Sequence, residues 1–385
     1  MHLPSWPQSG EREAELLRIV LQSPQWGGFH PFVAEFEQSF AAYQHAAYGI
    51  SAFNGTITLE LALTVLGVGP GDEVVVPAIS FISTAAAVSR VGATPVFVDI
   101  EPYSFNIDPG QVRRAITSRT KAVMAVHFGG AVCQVEQLMD ICRDRNLFLL
   151  EDAAHAQGSE WNGKRAGSFG VAGSFSFQNG KVLTAGEGGM LVTSDGSFAE
   201  RCQSLANCGR IAGRSFYEHH RLGTNFRLTA FQAAVLIAQF ERLPQQIQIR
   251  AANARLLKTL LADVPEVVWQ EQSAALTQNS WYLMLGRVRS PLNRDELQRD
   301  LNAQGVPNGF YPHTLYQNPL YREGGSKRMP CPVAEACIQD AFWLPHRVLL
   351  ADEESIREIA DVIRRSVSRQ RGSATTKAEP VSAAP

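Results

Sequence analysis

This chain of 385 residues contains few lysines and has almost no net charge. Only six of the 35 basic residues are lysines, and the formal net charge is −2. The balanced charge excludes the basic footprint of a nucleic-acid-binding protein. Because lysine is rare, a lysine that falls inside a motif carries more weight than it would in a lysine-rich chain.

Long apolar runs and paired cysteine motifs are also missing. No stretch approaches the roughly 18 uncharged apolar residues of a membrane-spanning helix. The N-terminal residues lack the basic start and apolar core of a secretion signal. The six cysteines form neither Cys-x-x-Cys pairs nor zinc spacings. We therefore expect a cytoplasmic protein without nucleic-acid, membrane or metal partners.

Short apolar segments recur through the first two thirds of the chain. They are rich in Val, Ile, Leu and Phe, which is typical of strands covered on both faces. Helical spacing of apolar residues separates several of them, as over 56–66 and 134–142. We predict an α/β fold with a mostly parallel central sheet and helices on both faces. The predicted strands lie within 72–78, 94–100, 121–128, 146–152, 172–177 and 188–194.

The pattern changes after Pro244. A long helix is predicted over 245–261, a strand over 280–288 and a last helix over 353–367, which indicates a smaller α+β domain. The final residues contain no aromatic side chain and few apolar ones, so we predict disorder there. The predicted parts are an N-terminal arm (1–15), a large cofactor-binding domain (16–250), a small C-terminal domain (251–368) and a disordered tail (369–385).

Three short segments carry candidate chemistry. Asn54 and Gly55 open a predicted helix, whose free N–H groups and dipole can bind an anion. Asp152 ends a predicted buried strand, at the sheet edge where α/β proteins bind ligands. Lys181 lies in a loop of small residues, where the backbone can pass close to a ligand and the amine could form a Schiff base. Taken singly, each has an ordinary interpretation: a helix cap, a surface carboxylate and a solvated lysine.

Together the three segments suit pyridoxal phosphate. Its phosphate binds at a helix N-terminus, a carboxylate keeps its pyridine nitrogen protonated, and a lysine amine joins its aldehyde. A nucleotide-binding alternative rests on the glycine-rich run 67–72, but that run lacks the Lys-Ser/Thr of a phosphate-binding loop and precedes a strand. We therefore predict pyridoxal 5′-phosphate as the cofactor.

Longer motifs, in their order and spacing, resemble the DegT/DnrJ/StrS family of pyridoxal-phosphate aminotransferases. The likeness spans about residues 20–365 and implies the fold-type-I architecture of aspartate aminotransferase. It also implies a homodimer with shared active sites. The motifs are GVGPGDEVVVPAISFISTAAAV, GATPVFVDIEPYSFNIDP, LLEDAAHAQG, FQNGKVLTAGEGG and GTNFRLTAFQAAVLIAQFERL.

The resemblance implies a role for each matching residue. Lys181 is at the Schiff-base position, and Asp152 is at the position of the pyridine-nitrogen partner. Phe81 falls where an aromatic ring stacks on the cofactor, and His155 falls beside the cofactor ring. The remaining cofactor positions are Gly55, Thr56, Ser176, Gln178 and Asn225, the last of which reaches the phosphate from the neighbouring subunit.

Two branches of the family are most similar in the segments around Lys181 and 343–350. One branch contains scyllo-inosose aminotransferases. It implies transfer of an amino group from glutamate or glutamine to a cyclic ketone in amino-sugar or secondary-metabolite biosynthesis. The acceptor classes are a keto sugar, a nucleotide-linked sugar and a cyclitol. The other contains 3-amino-5-hydroxybenzoate synthases, which dehydrate and aromatise their substrate. A non-catalytic regulator of the same fold is a third alternative, although that role makes no demand for Lys181. His313 and His346 are the predicted substrate contacts.

Overall fold

The computed structural model describes the backbone of residues 1–377 and the side chains of residues 1–372. An eight-stranded sheet forms its centre. From edge to edge its strands are β1 (Tyr48–Ala52), β9 (Gly189–Thr193), β8 (Ala172–Ser176), β5 (Phe148–Asp152), β4 (Thr120–Val126), β2 (Glu73–Pro77), β3 (Thr94–Val98) and β13 (Lys327–Arg328).

Neighbouring strands from β8 to β13 are parallel, whereas β9 runs antiparallel to both β8 and β1. All five residues of β2 are buried. Val75 packs into one apolar cluster, and Val74 and Val76 pack into another, so both faces of the sheet are covered. The predicted α/β fold with a mostly parallel sheet is confirmed.

Twelve α-helices are assigned within residues 1–377, and none of them is long and apolar enough to cross a membrane. They are α1 (Glu11–Gln22), α2 (Pro31–Tyr43), α3 (Gly55–Val65), α4 (Ser83–Arg90), α5 (Pro109–Ala115), α6 (Val135–Arg145), α7 (Gly196–Ala206), α8 (Ala230–Leu260), α9 (Arg294–Ala303), α10 (Pro319–Arg322), α11 (Pro332–Asp340) and α12 (Glu353–Lys377).

Two small sheets complete the structure. One is antiparallel and consists of β10 (Val267–Trp269), β12 (Leu283–Val288) and β14 (Ala341–Pro345). The other consists of β11 (Leu276–Gln278), β6 (Glu160–Trp161) and β7 (Lys164–Arg165). A third apolar cluster joins β12, β14, α9 and α12 with the C-terminal part of α8.

The start predicted at residue 245 for the long helix is wrong, because α8 begins at Ala230 and runs through Pro244 as one helix. Proline in a helix interior costs roughly 3 kcal/mol, since it removes a hydrogen bond and crowds the preceding turn. Leu243 and Ile247 are buried on either side of Pro244, and we infer that their packing offsets this cost. The helix also crosses residue 250, so the boundary predicted there falls inside a helix and stays a prediction.

The predicted tail is wrong in its first nine residues, because α12 continues to Lys377. Polar contacts hold this part of the helix. Nη2 of Arg369 lies 2.5 Å from Oδ2 of Asp300, and Oε1 of Gln370 accepts a hydrogen bond from the backbone N–H of Asn293 at 2.7 Å. The remainder of the predicted tail, 378–385, lies outside the described residues.

Candidate active site

The N-terminus of α3 lies against the end of β8. Oδ1 of Asn54 caps the helix by accepting a hydrogen bond from the backbone N–H of Ile57 at 2.9 Å. A Cβ atom at Gly55 would lie 2.8 Å from Cβ of Ser176, so glycine is needed for this close packing. The N–H groups of Gly55 and Thr56 have no acceptor within the helix, and the dipole adds positive charge there. Such an arrangement can bind an anion.

Asp152 is a buried carboxylate at the carboxyl end of β5, with 6% of its surface exposed. Its Oδ2 accepts a hydrogen bond from the hydroxyl of Thr84 at 2.7 Å, and its Oδ1 accepts one from the backbone N–H of Ala154 at 3.3 Å. Burial raises the pKa of Asp152, while Thr84 and the charge of Lys181 act in the opposite direction. A cation bound against Asp152 would therefore stabilise the ionised carboxylate.

Lys181 lies in the loop that joins β8 to β9 and is 8% exposed. Its backbone N–H donates to the carbonyl oxygen of Gln178 at 2.8 Å, and Oε1 of Gln178 accepts from the backbone N–H of Gly180 at 2.8 Å. Nζ of Lys181 lies 4.6 Å from the ring centroid of Tyr282, which is within cation–π range. The amine is thus largely withdrawn from solvent, as a Schiff-base lysine is.

His155 is buried, and its ring centroid lies 4.2 Å from that of Tyr282. The backbone N–H of Gly129 donates to its Nδ1 at 3.4 Å, which leaves the proton of the neutral ring on Nε2. Burial, and then the charge of Lys181, hold the pKa of His155 well below its ordinary value. His155 is therefore uncharged at neutral pH.

These groups line one cavity of about 490 Å³ at the carboxyl ends of the parallel strands, which we call the central cavity. Phe81, on its wall, is 57% exposed, so much of a large aromatic ring is available to a bound group. The predicted site residues that line the central cavity are Gly55, Thr56, Phe81, Asp152, His155, Ser176, Gln178 and Lys181.

Three predicted site residues do not line the central cavity. Asn225 is exposed on the surface of the chain. His313 is half-buried, and its Nδ1 lies 3.1 Å from the carbonyl oxygen of the next residue. His346 is 2% exposed, and its Nε2 lies 3.1 Å from the carbonyl oxygen of Gly180, which directly precedes Lys181. Neither histidine lines the central cavity of its own chain, and their predicted role as substrate contacts stays a prediction.

Two tyrosines of the central cavity were missed by the sequence analysis. Tyr282 immediately precedes β12, and Tyr311 lies between α9 and α10. Burial raises the pKa of Tyr311, so its hydroxyl stays protonated. Tyr282 falls inside the strand predicted over 280–288, and Tyr311 falls in the segment 309–313, where Phe310 precedes it. Neither feature by itself indicates a ligand.

The residues around the central cavity fit pyridoxal phosphate. The cradle formed by the first N–H groups of α3, which Gly55 allows to pack closely against Ser176, suits its phosphate. The buried carboxylate of Asp152 suits a protonated ring nitrogen, and the amine of Lys181 suits an aldehyde. The fold and the cavity together define a pyridoxal-phosphate-dependent transferase of fold type I.

The chain belongs to the DegT/DnrJ/EryC1/StrS aminotransferase family, whose model matches residues 7–364. It is therefore an aminotransferase that uses pyridoxal 5′-phosphate. The family, the fold class, the enzyme class and the cofactor predicted from the sequence are confirmed.

Relatives with related activities match along nearly the whole chain. The 3-amino-5-hydroxybenzoate synthase of Amycolatopsis mediterranei (strain S699) is 39% identical over 381 residues, covering 95% of this chain and 97% of that protein. A putative L-glutamine:3-amino-2,3-dideoxy-scyllo-inosose aminotransferase of Micromonospora echinospora is 37% identical over 393 residues, covering 94% and 92%. A crystal structure of 3-amino-5-hydroxybenzoic acid synthase superposes with a TM-score of 0.90 at 39% identity, covering 96% and 99%.

Proposed function

We propose that this aminotransferase moves an amino group from glutamate or glutamine to the keto group of a ring, in amino-sugar or secondary-metabolite biosynthesis. The observation that carries the proposal is the joint position of Lys181, Asp152 and the N-terminus of α3 on the central cavity. The relative described as a scyllo-inosose aminotransferase supports a ring ketone as acceptor, and its name supports glutamine as donor.

The residues of the cavity divide the chemistry among them. When bound, pyridoxal phosphate supplies a protonated pyridine ring that accepts electron density from the reacting carbon. The first N–H groups of α3 would hold the phosphate, and Asp152 would keep the ring nitrogen protonated. Nζ of Lys181 takes the proton from the α-carbon of the amino donor as a general base, and it later returns a proton as a general acid. His155 packs there without adding a competing charge.

The charges on the central cavity favour a neutral ring over a diphosphate-linked one. Among the side chains of residues 1–372, Lys181 is the one Lys or Arg that lines the cavity. His155 is uncharged, and Glu187 adds a carboxylate to the lining. This carboxylate would repel a diphosphate, and the described side chains that line the cavity include no arginine to bind one through paired hydrogen bonds. Of the three acceptor classes, a free cyclitol or keto ring therefore fits this chain's part of the cavity best.

A second candidate function is dehydration and aromatisation of an amino-substituted ring. The 39% identity with 3-amino-5-hydroxybenzoate synthase and the TM-score of 0.90 for its structure favour this candidate. The same lysine and aspartate suit both reactions, because each begins with removal of a proton next to the cofactor-bound nitrogen.

One experiment distinguishes the two candidates. The loaded enzyme is incubated with glutamate or glutamine and a panel of free and nucleotide-linked cyclic ketones, and products are read by mass. Replacement of a keto oxygen by an amine supports amino transfer. Loss of water together with new aromatic absorbance supports the second candidate. The Lys181→Ala enzyme is the control, and product formation by that variant would contradict both candidates.

We also propose a homodimer whose two active sites are shared, and a cytoplasmic location that the six unpaired cysteines support. Asn225 is exposed and does not line the cavity of its own chain, which is consistent with a contact between Asn225 and the active site of a second copy. Large exposed apolar side chains accompany it and favour a covered surface. They are Trp26, Phe29, Phe216, Tyr217 and Leu222.

Mixing two inactive variants tests the shared site. In a dimer that pairs Lys181→Ala with Asn225→Ala, one site receives both wild-type residues if Asn225 serves the partner subunit. Refolded together in equal amounts, the variants then recover up to about a quarter of wild-type activity, because half of the dimers hold one intact site of two. The control pairs Lys181→Ala with Asp152→Asn, which recovers nothing. No recovery with Asn225→Ala would contradict the proposal.

A further inference from the structure

Two side chains that are remote in sequence hold the backbone immediately before Lys181. The indole N–H of Trp6 donates to the carbonyl oxygen of Asn179 at 3.0 Å. Nε2 of His346 lies 3.1 Å from the carbonyl oxygen of Gly180. Consecutive carbonyl groups of one loop are thus each bound by a different part of the chain.

The rings of Trp6 and His346 also contact each other and reach the lysine side chain. Their centroids are 4.4 Å apart in an edge-to-face arrangement. The ring of Tyr282 stacks on His346 with centroids 6.0 Å apart, and it lies 4.6 Å from Nζ of Lys181. One aromatic stack therefore touches both the backbone that precedes the lysine and its ammonium group.

His346 acts in this stack as a neutral donor. Because a carbonyl oxygen can only accept, Nε2 carries the proton, and Nδ1 has no partner among the described residues. Burial, and then the charge of the fully buried Arg250, lower the pKa of His346 well below its ordinary value. A histidine that stays neutral and points at a backbone carbonyl is suited to positioning rather than to proton transfer with a substrate.

Both sides of Trp6 are anchored, so its position is fixed by the fold. Upstream, the backbone N–H of His2 donates to Oγ of Ser355 on α12 at 2.8 Å. Downstream, the carbonyl oxygen of Gln8 accepts from Nη2 of Arg242 on α8 at 3.1 Å. Residues 2–8, part of the predicted N-terminal arm, thus extend between α12 and α8, with Trp6 over the lysine loop, whereas residues 11–15 of that arm belong to α1.

We propose that Trp6 and His346 are positioning residues that fix the Lys181 loop, so that the N-terminal arm is part of the working active site. The proposal rests on the role of Lys181 proposed above. The loop contains Gly180 and Gly186, whose backbone freedom must be limited if one amine is to reach a fixed point. Displacement of a reacting group by about 1 Å costs on the order of 10²-fold in rate, so such restraint has a measurable effect.

The test compares Trp6→Phe and His346→Phe with the matched control Trp269→Phe. The two test variants keep a ring and remove one N–H donor. Nε1 of Trp269 has no partner in the described part of the chain, so the control removes a donor that makes no bond. His346→Gln, which can retain an N–H donor, is the rescue variant.

Two quantities are measured. The first is hydrogen exchange of the 177–183 segment in the cofactor-free enzyme, where the amides of Gly180 and Lys181 are hydrogen-bonded. The second is kcat of the loaded enzyme. We expect Trp6→Phe and His346→Phe to raise exchange by about three- to tenfold and to lower kcat by a similar factor with KM unchanged, the range for loss of one neutral hydrogen bond. His346→Gln should stay within about twofold of wild type.

Unchanged exchange in both phenylalanine variants would overturn the proposal, as would a rise in KM with kcat preserved, which is the signature of a substrate contact. The readouts separate its failure from failure of the proposed function. The role of Lys181 is judged by the visible absorbance of the loaded Lys181→Ala enzyme. Loop exchange is read without cofactor and does not depend on that result.

Discussion

The residues that line the central cavity form two groups, which differ in burial and in their contacts within the chain. The inner group (Gly55, Asp152 and Lys181) is buried and packed or hydrogen-bonded within the chain. The outer group (Phe81, Gln178 and Glu187) is exposed, although it lines the same cavity. The difference teaches that packing and hydrogen bonds of the chain itself hold the inner group. We expect the exposed parts of the outer group to gain further contacts from a cofactor, a substrate or a second subunit.

The largest effect is expected at the lysine of the inner group. Lys181→Ala should abolish the visible absorbance of the lysine-bound cofactor and lower turnover by about 10⁴-fold, because both the attachment point and the general base are lost. Absorbance spectra and product formation check this. Lys164→Ala changes an exposed lysine and should leave both unaltered. A variant at Lys181 with the wild-type spectrum would contradict the assignment.

A smaller loss is expected when Asp152 keeps its shape and loses its charge. Asp152→Asn should lower kcat of the loaded enzyme by about 10²- to 10³-fold, the range for removal of one preorganised electrostatic partner. The exposed Asp140→Asn is the matched control, and it should change kcat by less than about twofold. Equal kcat values for the two variants would contradict the pairing of Asp152 with the ring nitrogen.

On stability, Asp152→Asn should have the opposite effect to its effect on kcat. Burial raises the pKa of Asp152 above its ordinary value of 3.8, so the folded state binds this proton more tightly than the unfolded state. The contribution of Asp152 to the free energy of unfolding therefore falls as pH rises from 3.8 through the raised pKa. The cofactor-free Asp152→Asn enzyme lacks this decline, so denaturant unfolding at pH 7 should show it to be at least as stable as wild type.

Packing at the anion site predicts a combined effect on folding and binding. Gly55→Ala would place a Cβ atom 2.8 Å from that of Ser176, which should lower the free energy of unfolding by about 1–3 kcal/mol. The shifted helix start should also weaken cofactor binding by about tenfold, as for loss of one hydrogen bond to a charged group. In Gly69→Ala the new Cβ atom would have its nearest neighbour at 3.8 Å, so neither quantity should change. Unfolding curves and cofactor titration check both, and an unaltered Gly55→Ala enzyme would contradict the cradle.

The inner group could be predicted from the sequence because local pattern encodes it. Asp152 directly ends an apolar strand, and in a parallel sheet all such ends share one edge. Lys181 stands out because lysine is rare and its loop consists of small residues. The strands themselves were predictable because burial on both faces leaves a continuous apolar run, as in β2.

The remainder depends on contacts between segments that are distant in sequence. Tyr282 and Tyr311 reach the cavity because the C-terminal part packs over the sheet edge. No pattern in the sequence around either tyrosine predicts that packing. The helix through Pro244 formed against its local propensity because neighbouring turns are buried. Trp6 gave no signal at all, since its partner is a backbone carbonyl of the lysine loop.

The smallest expected effect is at Phe81, and it sharpens the difference between the two groups most directly. Because this ring is 57% exposed, Phe81→Leu should change the free energy of unfolding of the cofactor-free enzyme by less than about 0.5 kcal/mol. The same change should weaken cofactor binding by about two- to tenfold, since an aromatic stacking contact is lost. Phe148→Leu is the control. Its ring is 40% exposed and lies at the start of β5, whereas Asp152 of the central cavity lies at the end of that strand, so the change should leave cofactor affinity unaltered. If Phe81→Leu lowered stability and left affinity intact, Phe81 would belong to the protein core, and the outer group would lose the member that defines it.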